Sequence, residues 1–176
     1  MARAPLNAWR EIVRLSEIDR GPVERRLQPD ESQLPAIAKT IGVDALNCLT
    51  AEVSVTPWLD GAEIRGSLRA AVRQTCGVTL EPLEETVEGV FKVRVVPAGS
   101  HNLPSEDAEI DLEADDPPDS LEGEEIDLAH YVVEHLALEI DPFPRKPGAV
   151  FEPPQAEEEA SPFAVLKRLK QDDASN

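Results

Sequence analysis

LTAEVSVTPWLDGAEIRGSLRAAVR, residues 49–73, decides the fold. Apolar side chains at Leu49, Ala51, Val53 and Val55 alternate with polar neighbours, and Ile64, Gly66, Leu68, Ala70 and Val72 resume the alternation beyond Asp60 and Gly61. A period of two sends successive side chains to opposite faces, and Asp-Gly suits the positive φ angles of a tight hairpin turn. The stretch therefore predicts an antiparallel hairpin with one face inward. After Pro82 a third run, Val87, Gly89, Phe91, Val93 and Val95, keeps the same period and extends the hairpin into a meander.

One face of such a meander needs a cover, and two segments with helical spacing supply it. Leu34, Ile37, Ala38 and Ile41 recur every three or four residues, with Asp30 as expected cap, Pro35 in the first turn and Gly42 as the stop. A second helix is expected from a cap at Asp127 through Leu138, with Leu128, Tyr131, Val132 and Leu136 on one side and Pro142 and Pro144 ending it. Strands are also expected at Trp9 to Leu15 and Val23 to Gln28. The fold class is α+β: a twisted antiparallel sheet of about five or six strands packed with two main helices.

The rest of the chain has a different composition. Residues 97–125 are rich in Ser, Asn, Pro, Gly and carboxylates and contain no lysine or arginine, which predicts a mobile acidic insertion with a candidate edge strand at Ala108 to Leu112. Residues 152–176 read as an acidic linker followed by a short amphipathic helix carrying Phe163, Leu166 and Leu169. Residues 1–151 are taken as the single domain.

The formal net charge of -18 on 176 residues argues against tight generic binding to nucleic acid, because that affinity comes mainly from cations displacing phosphate counterions. Basic proteins are easier partners. The start lacks the apolar run of a signal peptide, and no segment approaches the ~20 uncharged residues needed to span a bilayer, so a cytoplasmic monomer is expected. Cys48 and Cys76 have no redox or metal-knuckle spacing, and no disulfide is expected.

Three groups of residues could carry chemistry. Arg65, Arg69 and Arg73 fall on the outward side of the second strand, with Lys92 and Arg94 outward on the third, a basic stripe able to meet RNA phosphates. The plain structural alternative is cross-strand pairing with Glu63, Glu84, Glu85 and Glu88, and an aromatic platform for single-stranded RNA is missing from this reading. His130 and His135 are five apart, about 140° around a helix, which is the wrong spacing for a zinc-binding pair; no metal site is expected. Cys76 has only Arg73 nearby in sequence to activate it, so a buried structural thiol is the simpler reading.

Two stretches carry a resemblance. GSLRAAVRQTCGVTLEP, residues 66–82, and IDLAHYVVEHLALEIDPFPR, residues 126–145, together resemble the YceD family, proteins linked to accumulation of large-subunit (23S) ribosomal RNA. The resembling positions are Cys76, Leu80, Pro82, Asp127, Leu128, Asp141, Pro142, Pro144 and Arg145, and the likeness extends over about residues 8 to 152, with the tail after Ser161 similar to the ending of close relatives. Other branches of that family carry further cysteines near the first position and after the proline-rich segment, consistent with a bound metal. Here Cys76 has no second cysteine nearby, so the resemblance implies neither a metal nor a cofactor for this chain. It implies a non-enzymatic factor in large ribosomal subunit biogenesis, with large-subunit rRNA or its precursor, a basic ribosomal protein or an assembly factor as candidate partners. The alternative is an acidic adaptor docking a basic protein unrelated to ribosomes. A hydrolase using His130, Glu134 or His135 ranks last, because no nucleophile, base and orienting group can be named together.

Overall fold

The computed structural model describes residues 9–103 and 116–151. In chain order the elements are β1 (Ile12–Arg14), α1 (Leu15–Ile18), β2 (Val23–Leu27), α2 (Leu34–Ile41), β3 (Ala45–Trp58), β4 (Gly61–Thr75), β5 (Pro82–Pro97), β6 (Asp119–Leu121), β7 (Glu125–Asp127) and α3 (Leu128–Glu139). The main sheet has the order β2-β3-β4-β5-β6, and β1 pairs with β7 in a separate two-stranded sheet. This is the α+β meander expected from the alternation.

The central hairpin has Val55 opposite Ile64 and Val53 opposite Gly66, and β4 continues into β5 with Gly66 opposite Phe91 and Ala70 opposite Val87. Leu49, Ala51, Val53, Val55, Ile64, Leu68, Ala70 and Val72 are all buried on one face with α2 and α3 residues Ile37, Ala38, Leu128, Val132 and Leu136. A bulge between Leu46 and Cys48 shifts the register by one residue. It allows Leu46 and Leu49, three apart, both to face the core, and it leaves Cys48 exposed.

Gly66 has a specific reason to lack a side chain. A Cβ there would sit 2.3 Å from the ring of Phe91, which lies across the strand. The vacated space lets Phe91 cover β4 while its other side stacks on His135 of α3, ring centroids 4.5 Å apart and 16° from parallel. One aromatic thus joins two strands and a helix; full burial of such a side chain contributes about 1.5–3 kcal/mol.

Several local expectations change. The strand at the start of the chain is only Ile12–Arg14, because Leu15 opens α1 instead, with the Arg14 amide donating to Glu17 Oε1 at 3.2 Å. Gln33, not Asp30, is the residue before α2, and its side-chain oxygen accepts from the Asp30 amide at 2.7 Å, holding the incoming loop instead of the helix end. Gly42 closes α2 in the left-handed conformation, φ 77°. Asp127 stands at the cap position of α3 but does not cap it; its carboxylate accepts from the Glu11 amide at 3.0 Å and Arg10 Nε at 3.2 Å, tying β1 to β7.

Part of the stretch expected to be a mobile insertion is a strand: β6 adds to the sheet parallel to β5, Val95 opposite Asp119. The candidate edge strand at Ala108 to Leu112 and the amphipathic tail segment lie outside the described residues. Among the described residues, no helix is long and apolar enough to cross a membrane.

Candidate functional site

Since α2 and α3 occupy the inner face, the outer face of the sheet carries the mostly polar half of the alternation, with Ala71 and Val90 as apolar exceptions. Arg65, Ser67, Arg69 and Arg73 of β4 are exposed on it. Its rows can be read across the strands: Thr56, Glu63 and Arg94; Ser54, Arg65 and Lys92; Glu52, Ser67 and Val90; Thr50, Arg69 and Glu88. The predicted stripe therefore exists, with Arg65, Arg69, Arg73 and Lys92 exposed and Arg94 half-buried. Two open basins of about 560 and 530 Å³ lie over β3 and β4, one lined by Arg26, Glu52, Arg69, Glu88 and Glu139 and the other by Glu24, Arg25, Arg26, Glu52 and Arg65, so carboxylates and cations face each other in both.

Charge pairing within the stripe is only partly as expected. Glu63 is buried, and its two oxygens take one arginine each: Arg65 Nε at 2.7 Å and Arg94 Nε at 3.1 Å. Arg65 above all, with Arg94, holds the Glu63 carboxyl below its ordinary value although burial pulls the other way. Arg69 pairs with Glu88 at 3.2 Å, both side chains largely exposed. Arg73 lies opposite Glu84, whereas Glu85 lies opposite the core residue Val72 and so belongs to the other face. Arg65 stands directly opposite Lys92, a like-charged pair that concentrates positive potential at the middle of the sheet.

The sequence reading missed an aromatic on this face. Trp58, at the end of β3, carries the Arg94 guanidinium over its ring, 4.9 Å from the centroid. The signal is present in the sequence, since Trp58 shares parity with Thr56 and Ser54 in the outward set, but the alternation quoted for this strand stops at Val55. Glu63, Arg65, Arg94 and Trp58 form one cluster at the hairpin end of the stripe.

The other candidates lie elsewhere. His135 lines a cleft of about 360 Å³ between β5 and α3 with Tyr131, Glu134, Lys92 and Asp119. Burial lowers its basicity, and Nε2 has no hydrogen-bond partner among the described residues, as expected of a ring used for stacking on Phe91. His130 Nε2 is 3.7 Å from Glu134 Oε2, one turn along the same helix. No group of three His, Cys, Asp or Glu side chains is placed to hold a metal ion among the described residues.

The two resembling stretches meet at the far end of the sheet. The turn joining β4 to β5 and the segment following α3 interlock: the Gly77 amide donates to the Pro144 carbonyl at 2.9 Å, Gln74 Nε2 to the Asp141 carbonyl at 3.0 Å, and Lys146 Nζ to Glu81 at 2.8 Å. Cys76 is the buried pin, its sulfur accepting from the amides of Lys146 at 3.3 Å and Thr79 at 3.4 Å. These donors, the Thr79 hydroxyl foremost, bring the thiol down to about 6 against the opposing effect of burial. The polarising groups are hydrogen-bond donors, not the neighbouring Arg73. Leu80, Pro82, Asp141, Pro142, Pro144 and Arg145 all belong to this end, while Asp127 and Leu128 sit at the junction of β7 and α3.

No curated protein and no solved structure matches the chain. The family described as large ribosomal RNA subunit accumulation protein YceD matches residues 64–170, from near the start of β4 through α3 and the interlocked segment beyond it. The match spans well over half of the 176 residues and includes both stretches that meet around Cys76; the chain belongs to the YceD family.

Proposed function

We propose that this protein is a non-enzymatic factor in large ribosomal subunit biogenesis, and that the outer face of its sheet contacts large-subunit rRNA or its precursor. The family description supplies the process, large ribosomal RNA subunit accumulation. The single observation supporting the surface is the gathering of Arg65, Arg69, Lys92 and Arg94 with Trp58 on one sheet face of a chain whose net charge is -18. Arginine guanidinium groups suit phosphate contacts, the short Ser and Thr side chains of the face let a backbone approach closely, and Trp58 offers a ring at the end of the track. The protein acts by binding, as a monomer in the cytoplasm, and needs no cofactor.

The test is binding of large-subunit rRNA fragments to the full chain across a salt series. Replacing Arg65, Arg69 and Arg73 with Glu is expected to cost at least about tenfold in affinity and to flatten the salt dependence by about one unit of slope per lost phosphate contact. Affinity unchanged by the triple substitution rejects this face. A second reading, an adaptor for a basic partner unrelated to ribosomes, is favoured by the ion pairs Glu63 and Glu88 make with the arginines. It predicts binding of basic proteins with no RNA binding at any salt.

A further inference from the structure

Leu80 and Phe143 are large apolar residues at the interlocked end of the molecule, 77% and 76% exposed. Leu80 adopts φ +58°, a left-handed conformation that is uncommon for a residue with a branched side chain. The backbone at both positions is tied down. The Leu80 amide donates to the Cys76 carbonyl at 2.9 Å, the Phe143 amide to Asp141 Oδ1 at 2.8 Å, and the Cys76 and Lys146 contacts cross-link the two loops. The backbones that carry these two exposed side chains are therefore pre-organised, which lowers the ordering entropy that docking costs.

The charge around the pair selects the partner. Asp44, Glu81, Glu84, Glu85 and Asp141 stand at this end against Arg73, Arg145 and Lys146, an excess of negative charge. Such a rim repels a phosphate backbone, so RNA is the poorer fit here even if it binds the sheet face. A second copy of the chain is opposed by the repulsion of two molecules of net charge -18. A basic protein presenting an apolar socket satisfies both the anchors and the rim.

We propose that this end of the molecule docks a basic protein of the large ribosomal subunit, with Leu80 and Phe143 as the buried anchors. This rests on the biogenesis reading above, and it gives the protein two surfaces that meet at Arg73, one for RNA and one for protein. The basic proteins stripped from purified large subunits are separated and titrated one at a time against the labelled full chain. At least one is expected to bind, and Leu80→Gly with Phe143→Ser is expected to weaken it at least about tenfold, the loss typical of removing hot-spot anchors. Glycine suits the left-handed backbone at position 80 and Phe143 is exposed, so the thermal midpoint of the double variant should not fall. Arg65→Glu with Arg69→Glu should leave this binding unchanged.

Equal affinity of the double variant and the parent overturns the docking site. So does rRNA binding by the parent with no binding of any basic protein, which leaves the RNA face standing. Absence of both overturns the biogenesis reading itself.

Discussion

Glu63 shows how one side chain sets the character of a surface. By alternation it belongs to the solvent face, yet it is only 8% exposed because Arg65, Arg94 and, over Arg94, Trp58 close around it. The carboxylate spends its charge fixing two guanidinium groups, which orders the stripe but also neutralises part of it. Glu63→Gln should therefore cost about 1.5–3 kcal/mol in chemical denaturation, the value of hydrogen bonds to charged groups, while strengthening RNA binding by removing the negative charge beside Arg65 and Arg94. The pH dependence has a definite sign. Since the folded carboxyl lies below the ordinary 4.5, its contribution is complete above that value and is lost as pH falls through the lower folded value. The Gln variant should lack this part of the acid limb; an identical acid limb in both proteins would show that the cluster adds nothing to folding.

At the scale of elements, the contact of β4, β5 and α3 depends on the missing side chain at Gly66. Phe91 occupies that space and passes the contact on to His135. Gly66→Ala should destabilise the protein by about 1–3 kcal/mol through overpacking, measured as a lower denaturation midpoint with an unchanged slope. Adding Phe91→Leu should make the effect of Gly66→Ala smaller than it is alone, because the two positions share one space. Strict additivity of the pair would mean that the ring is not what Gly66 accommodates. The end of the sheet has a different design, in which hydrogen bonds to loops replace packing and the Cys76 sulfur acts as a shared acceptor.

Across the whole molecule, 35 acidic residues against 17 lysines and arginines make repulsion a standing cost. Exposed pairs such as Arg69 with Glu88 and Arg14 with Glu125 each contribute ~0–1 kcal/mol and are screened by salt, so they offset little of it. Raising NaCl from about 0.05 to about 0.5 M, which shortens the screening length to a few ångströms, should raise the thermal midpoint by a few degrees. A falling midpoint would mean that the ion pairs outweigh the repulsion. The same excess charge makes the outer sheet face the better of the two surfaces for RNA, because there the cations are concentrated.

The β3–β4–β5 meander, the inward and outward sets on each strand, α2, α3 and the place of Arg65, Arg69, Arg73, Lys92 and Arg94 on one face are all legible in the order of residues. All of these follow from a period of 2 or 3.6 and from local turn residues, which need no knowledge of the rest of the chain. Only the packed fold shows that Ile12–Arg14 pairs with Glu125–Asp127, that Asp119–Leu121 joins β5 in parallel, that Glu63 is buried between two arginines and that the loop after α3 closes on Cys76. Strands of three residues carry too little pattern to announce themselves, and partners 70 or more residues apart are chosen by which surfaces remain unburied once the sheet and helices have formed.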